Sequence, residues 1–235
     1  MACCVGASAR GQLFDTSAAQ AELVVMLMGT GRVFTANVTV KREKGDKQVK
    51  LADNVMMARE GDLRLEHKPA GDPALAGPMA KLKREKLTEV VTVLMPRAGK
   101  AYLIVPGKRA YLESVIEPTR PPRMESAFLR TELVDHHPCT VRRVTLINED
   151  ESRQQIVLWE ATDMDGFVLK SQMDRGDDTR EVLYFSNIRQ EKPDDIQFAV
   201  PAGYGRLRGE DAGKMAKAMM EFDLEREAAL AEVLR

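Results

Sequence analysis

The sequence predicts an α+β fold, built on one continuous antiparallel sheet with one or two helices packed on it. Short segments of alternating hydrophobicity follow one another through residues 33–187, with turns of only a few residues between them. Connections this short exclude the crossovers that parallel strands need, so neighbouring segments must pair antiparallel. Helical periodicity is strongest in residues 209–235.

Composition favours a globular protein with an ample core and argues against nucleic-acid binding. The chain has 235 residues and is 44% hydrophobic, a length that fits one large or two small domains. Lysine and arginine number 35 against 36 acidic residues, and aromatic residues make up only 5%. Neither excess positive charge nor a base-stacking platform is therefore expected. No apolar run reaches the roughly 18 residues of a transmembrane helix.

The first residues resemble the end of a secretory signal. Ala7-Ser8-Ala9 fits an A-x-A cleavage site, while the basic region and most of the apolar region of a signal are missing. We therefore expect an exported protein of the periplasm or cell envelope, whose start codon is assigned too late. A disordered small-residue tail and a lipoprotein acylated on Cys3 or Cys4 are the alternatives.

The first half of the chain predicts a helix followed by half-buried strands. Helix formers fill residues 15–28, and residues 33–41 then alternate as an antiparallel strand does. The positions expected to face the core are Phe34, Ala36, Val38 and Val40. Further strands are expected at residues 49–59 and 63–66, and a short basic helix at residues 79–87.

Residues 90–113, VVTVLMPRAGKAYLIVPGKRAYLE, predict three strands joined by tight turns. Apolar residues occupy both faces of these strands, so this part of the sheet should be covered on both sides. We expect it to form the middle of the sheet, with helices on one face and the N-terminal helix or an open cavity on the other. Pro106-Gly107 is typical of a type II turn.

The second half predicts more strands, then a terminal helix. Strands are expected from residue 128 onward, at residues 141–148, 155–161, 167–173 and 181–187. Residues 192–198 favour one helical turn, and residues 200–205 a compact turn. In the terminal helix an apolar stripe, interrupted by Arg226, comprises Met215, Met219, Phe222, Leu230 and Val233.

Few residues of the sequence form patterns that could bind a metal or act in catalysis. His136-His137-Pro138-Cys139 groups metal-capable side chains, but His67 is the third and last histidine, and a turn entering a strand explains the segment better. Asp163-Met164-Asp165-Gly166 lacks the spacing of a calcium loop and fits a hairpin turn. The sequence shows no nucleophile with a base and no phosphate-binding loop. It predicts no catalytic residue, no metal and no cofactor.

Several segments, in this order, resemble a bacterial family of uncharacterised exported proteins with a fold like the lipoprotein-sorting carriers (LolA-like). They are the stretch VTVLMPRAGKAYLIVPGKRAYLE, His137-Pro138-Cys139, Trp159 with residues 163–170, and residues 198–204. The resemblance implies a strongly curved sheet, a half-open β-barrel, with helices on its concave side. It implies three parts: a signal remnant and helix (residues 1–31), a LolA-like sheet domain (32–207) and an amphipathic helix (208–235). The family often has glycine where His136 stands.

The resemblance and the alternation together predict a non-enzymatic cell-envelope protein that shelters an apolar ligand in its curved sheet. The expected partners are a lipid or the acyl chains of a lipoprotein, with peripheral or anchored membrane association and no nucleic acid. The residues expected to line the cavity are Val38, Val40, Met57, Leu65, Val93, Met95, Ile104 and Trp159. The alternative is a structural or interaction module with a filled core. Oligomeric state is left open.

Overall fold

A computed structural model describes residues 23–29, 31–116 and 122–235. Its backbone is dominated by strands, with helical residues 23–28 and two longer helices. The strands are β1 (Phe34–Lys44), β2 (Lys47–Arg59), β3 (Asp62–His67), β4 (Val90–Met95), β5 (Lys100–Val105), β6 (Ala110–Val115), β7 (Arg123–Val134), β8 (His137–Ile147), β9 (Arg153–Ala161), β10 (Phe167–Gly176), β11 (Thr179–Arg189) and β12 (Gly205–Arg206). The helices are α1 (Ala76–Glu85) and α2 (Gly209–Val233).

The described strands form one open, curved sheet of 12 strands, in the order β12-β6-β5-β4-β3-β2-β1-β11-β10-β9-β8-β7. Two meanders, β1 to β6 and β7 to β11, join through the antiparallel pairing of β1 with β11. Pairing is antiparallel as predicted, except that the two-residue β12 lies parallel to β6. The expected central position of residues 90–113 is wrong, because β1 pairs on both sides and places β4, β5 and β6 towards one edge.

The two faces of the sheet have different coverings. On the inner face, alternate residues of β1, β3 and β5 belong to the main apolar cluster, as Val38, Leu65 and Leu103 show. The same cluster contains helical residues, namely Val24, Val25, Met28, Met79, Leu82, Met215, Phe222 and Leu230. The alternation predicted for β1 is confirmed, since Phe34, Ala36, Val38 and Val40 are all fully buried. The helices therefore share one apolar layer with this face.

The outer face is covered, over β3 to β6, by the segment that follows β11. Phe198, at the end of the short 3₁₀ turn Asp195–Phe198, is buried with Val91, Val93 and Ile104 in a second cluster. The Arg59 guanidinium lies 4.3 Å from the centre of the Phe198 ring. The helical turn predicted for residues 192–198 is thus present. The described residues 23–28 of the N-terminal helix do not cover this face, because Val24 and Val25 belong to the main cluster.

Helix α1 begins and ends at identifiable caps. The Asp72 side chain accepts a hydrogen bond from the Ala74 amide at the 3₁₀ turn that leads into the helix. Lys86 adopts a left-handed conformation (φ 56°), and its amide donates to the carbonyls of Leu82 and Lys83. Pro78 lies in the first turn, where a missing amide proton costs nothing. The helix therefore ends two residues before the predicted end at residue 87.

The connection between β5 and β6 is a 3₁₀ turn, Pro106–Lys108, and the predicted type II turn is wrong. The left-handed residue is Arg109 (φ 48°), one position beyond the turn. Gly107 is needed for space, because a Cβ atom there would lie 2.6 Å from the Lys86 carbonyl oxygen. This close approach brings the end of α1 against the β5–β6 connection.

The expectations for the signal remnant and for most of the helix at residues 15–28 concern residues 1–22, which lie outside the described residues. Among the helices that the structure describes, none is long and apolar enough to cross a membrane.

Candidate functional site: the inner face and its helix cover

The candidate site is the apolar layer between the inner face of the sheet and the helices. Strand side chains such as Val38, Val40 and Leu183 are completely buried there. Methionines on both helices, Met79 on α1 and Met215 on α2, reach into the same layer. Unbranched, polarizable side chains adapt to irregular apolar shapes. The layer can therefore bury apolar surface, which is the main source of affinity for an apolar ligand.

A buried ion network joins helix α2 to the inner face. Arg42 on β1 lies opposite Glu181 on β11, and its Nη2 is 2.7 Å from a Glu181 carboxylate oxygen. The other Glu181 oxygen accepts from Arg175 Nη2 at 2.8 Å. Arg42 Nη1 also donates to Glu227 of α2. Glu181 is 0% exposed, so this network holds charge inside the layer where α2 meets the sheet.

Each charged group in this network stabilises the charged form of its partner. Burial alone would lower the pKa of Arg42, but the Glu181 and Glu227 carboxylates outweigh burial and raise it. Removing water from charged groups is costly unless they are paired and hydrogen-bonded. Arg42 and Glu181 therefore depend on each other, and the docking of Glu227 depends on both.

A second ionic contact joins the two helices at the surface. Lys81 Nζ on α1 lies 2.7 Å from a Glu221 oxygen and 2.9 Å from a Glu225 oxygen, both on α2. These hydrogen bonds raise the pKa of Lys81, and the bond from Lys81 lowers the pKa of Glu221. Polar contacts thus connect α2 both to the sheet and to α1, beside the apolar layer that the helices cover.

The eight residues predicted to line a cavity lie on different surfaces. Val38, Val40 and Leu65 belong to the inner-face cluster, whereas Val93 and Ile104 are buried in the outer cluster with Phe198. The half-buried Met57 and Met95 pack against that outer cluster. The structure thus brings three of the eight together beneath the helices.

Trp159, the eighth residue, is 3% exposed and belongs to the main cluster. Lys170 Nζ lies 4.4 Å from the centre of its ring, and the Arg130 guanidinium lies 5.9 Å from it. Cations at these distances are attracted to the electron-rich ring face. Trp159 lies opposite Lys170, and Lys170 lies opposite Tyr184, so these side chains occupy the face of the sheet that points away from Val38 and Phe185.

The His136–Cys139 segment forms a tight hairpin between β7 and β8. Asp135 and His136 both have positive φ angles (47° and 70°), as a type I′ turn requires. A glycine would suit the His136 position for the same reason. His137 Nδ1 lies 2.8 Å from Asp163, and burial raises the pKa of Cys139. In the part of the chain that is described, no three His, Cys, Asp or Glu side chains are grouped to hold a metal.

An open pocket of about 350 Å³ lies beside this hairpin. Its lining residues are Thr131, Glu132, Leu133, Pro138, Cys139 and Thr162. It lies at the outermost strand pair of the sheet, β7 and β8.

Sequence reasoning missed the ion network at the inner face. Arg42 continues the inward-facing series that begins at Phe34, and Glu181 precedes the buried Leu183 by two residues. A charged residue at an inward-facing position is unusual unless it is paired. These two positions in the sequence therefore indicated a buried ion pair. The interruption of the apolar stripe by Arg226 was noticed, and Arg226 is indeed buried, 3.3 Å from Asp223.

Comparison with solved structures finds several chains that are similar to this one over most of its length. The structure is similar to a LolA superfamily protein from Nitrosomonas europaea, with 12% identity over 72% of this chain and 90% of that one and a TM-score of 0.35. It is also similar to a DUF1329 family protein from Desulfovibrio piger, with 12% identity over 79% and 98% of the two chains and a TM-score of 0.35.

A third similar structure is the lipoprotein LppX from Mycobacterium tuberculosis, with 13% identity over 77% of this chain and 99% of that one and a TM-score of 0.38. No protein-family model matches the chain, and no curated protein matches its sequence.

Proposed function

We propose that this protein is a non-enzymatic binding protein of the bacterial cell envelope, which shelters an apolar ligand between its curved sheet and its helices. The ligand would be a lipid or the acyl chains of a lipoprotein. The observation that carries the proposal is the inner apolar layer, whose one wall is a broad sheet and whose other wall is a set of helices. Helices on the concave side of such a sheet form a cover that can separate from it without breaking strand pairing.

The contacts of α2 support a movable cover. Its inward side contributes four buried residues over 25 positions, Met215, Phe222, Arg226 and Leu230. One of the four is charged, and the contact of Glu227 with Arg42 is ionic. The Glu227 side chain is about half exposed and Arg42 keeps Glu181 as its buried partner, so water can replace the contact with Glu227 at little cost, unlike a continuous apolar seam. Displacing α2 would expose apolar sheet surface, and an acyl chain would cover that surface again.

Of the eight residues predicted from the sequence to line a cavity, only three are proposed to contact the ligand. Val38, Val40 and Leu65 would contact the ligand, together with Met79 and Met215 of the cover. Met57, Val93, Met95 and Ile104 would not, because the segment with Phe198 already covers them. Each strand exposes only one of its faces to a ligand bound on one side of the sheet.

No catalytic step belongs to this proposal. The buried Arg42 and Glu181 of the inner face are engaged with each other. Export is proposed from the A-x-A site at Ala7-Ser8-Ala9. N-terminal sequencing of the protein purified from its own bacterium tests that part: cleavage after Ala9 or acylation at Cys3 or Cys4 supports export.

Native mass spectrometry of the full chain, purified under mild conditions, tests ligand binding. We expect adducts with lipid masses, and saturable binding of a fluorescent fatty acid after delipidation. Glu227→Ala should speed uptake of the fluorescent fatty acid, because it frees α2 from Arg42. Glu232→Ala, an exposed change on the same helix, is the matched control. Absence of both adducts and saturable binding would refute the proposal.

A filled interior favours a second candidate, a structural or interaction module without a ligand. The rings of Phe34 and Phe167 pack edge to face at 5.0 Å between centres, and Phe167 and Phe185 pack at 5.9 Å. All three side chains are nearly or fully buried. Protein that carries no lipid, together with wild-type uptake kinetics for Glu227→Ala, would favour this candidate.

A further inference from the structure

Strand β7 presents a long open edge. Its 12 residues pair with β8 on one side, and in the described part of the chain the sheet order ends at β7 on the other. Three large apolar side chains of this strand are mostly exposed: Met124 (55%), Phe128 (64%) and Leu133 (72%). Unpaired backbone groups on a strand edge are a template for a further strand.

A bulge gives the edge an unusual charge pattern. The pairing of β7 with β8 shifts by one residue between Phe128 and Arg130. Because successive residues of a strand face opposite sides, this shift moves Arg130 and Glu132 to the face that Arg123 and Glu125 occupy. The pairing partners agree, since Glu125 lies opposite Thr145 and Glu132 opposite Cys139, two odd-numbered positions of β8.

The charges on this face are therefore ordered plus, minus, plus, minus along β7. Arg130 Nη2 lies 2.7 Å from Glu132, and Arg123 lies 3.8 Å from Glu125. Read in the opposite direction, the same strand presents minus, plus, minus, plus. A strand with this order is complementary to an antiparallel copy of itself.

We propose that β7 pairs antiparallel with β7 of a second copy of this chain, joining the two sheets across a two-fold axis. Arg123 lies opposite Glu132 of the second copy, and Glu125 lies opposite Arg130 of the second copy. Two-fold symmetry repeats both pairs. The two-fold axis passes between Ala127 and Phe128, beside the bulge of each strand.

Charge selects this register over its neighbours. A shift of two residues one way places Arg123 against Arg130 of the second copy. The same shift the other way places Glu125 against Glu132. Like charges directly opposite each other on paired strands are destabilising, so both shifted registers are disfavoured. The open pocket beside Glu132 and Leu133 lies where Arg123 of the second copy arrives.

Sedimentation velocity of the full chain over a wide range of protein concentration tests the proposal. We expect a reversible monomer–dimer equilibrium that weakens as salt is added, because exposed charge pairs are screened. Arg123→Glu and Glu132→Arg should each raise the dimer dissociation constant by about tenfold or more, since each places like charges opposite at two symmetric positions. The double variant Arg123→Glu/Glu132→Arg should restore dimerisation.

Lys214→Glu and Glu210→Arg are matched controls, because they make the same charge changes at an exposed ion pair on α2. Neither should affect the dimer. Circular dichroism checks that the edge variants fold. A wild-type protein that is monomeric at every concentration overturns the proposal and leaves the edge to an extended peptide. A dimer that both single variants leave intact, or that the double variant does not restore, overturns it equally.

Discussion

The side chains that matter most to the inner layer are charged residues at inward-facing positions. Arg42 and Glu181 lie opposite each other on neighbouring strands, and both are almost completely buried. They are tolerated in the folded state only as a pair, because an unpaired buried charge would destabilise the protein by several kcal/mol. Strand alternation in the sequence gives the direction of Arg42 correctly. It could not identify Glu181 as the partner, since 139 residues separate the two and nothing local specifies that β1 pairs with β11.

Glu181→Ala should lower the free energy of unfolding by about 3 kcal/mol, because Arg42 and Arg175 lose their shared buried carboxylate. Urea denaturation followed by circular dichroism measures the change. Glu210→Ala removes an exposed carboxylate from an ion pair with Lys214 and should cost less than about 1 kcal/mol. An equal loss of unfolding free energy in the two variants would show that the buried network stabilises the protein no more than the exposed ion pair does.

The sequence correctly predicts that position 107 requires glycine, but it predicts the wrong structural reason. The Pro-Gly pair predicts a type II turn, whereas the structure uses Gly107 for its missing Cβ, 2.6 Å from where the Lys86 carbonyl oxygen lies. Local sequence could not reveal this, because Lys86 belongs to the end of a helix about 20 residues earlier. The contact exists only once the helix and the strands have packed.

Gly107→Ala should therefore destabilise the protein by about 1–3 kcal/mol, since the backbone of one partner must move. Gly213→Ala is the contrasting change, because it lies within helix α2 and nothing approaches its added methyl group within 4 Å. It should stabilise the protein by about 0.5–1 kcal/mol. Thermal unfolding of both variants tests the pair, and a stable Gly107→Ala variant would contradict the close approach.

At the scale of elements, the two helices are joined by charge as well as by apolar packing. Lys81 of α1 reaches Glu221 and Glu225 of α2, and a short basic helix was predicted correctly near residues 79–87. The apolar stripe of the terminal helix was largely correct too, with Met215, Phe222 and Leu230 buried. Its partner surface could not be predicted, because periodicity shows which side of a helix is apolar and not what covers it.

The ion pair between the helices predicts a pH dependence. Lys81 lowers the pKa of Glu221 below its usual 4.5, so the carboxylate stabilises the folded protein above that unfolded-state pKa. That contribution is lost as the pH falls through the lower, folded-state pKa. Wild type should therefore unfold at a higher temperature than Glu221→Gln near neutral pH, and the two should converge as the pH falls below 4.5. A difference that stays constant with pH would contradict the assignment.

At the scale of the whole molecule, the sheet divides its surfaces between two coverings. Alternation in residues 90–113 correctly predicted strands buried on both faces. The order of strands could not be predicted, because the chain passes from β6 near one edge to β7 at the other. The predicted lining residues were therefore distributed over both faces: Met57 lies opposite Thr35 and points outward, while Val38 and Leu65 point inward.

The central claim is that an apolar ligand lies on the inner face, and tryptophan quenching by a brominated fatty acid tests it most directly. In a Trp159→Phe background, Phe185→Trp places the fluorophore on the inner face opposite Val38, and Tyr102→Trp places it on the outer face opposite Val93. The brominated fatty acid should quench Phe185→Trp saturably and leave Tyr102→Trp unchanged. Equal quenching of both variants, or of Tyr102→Trp alone, would contradict binding beneath the helices.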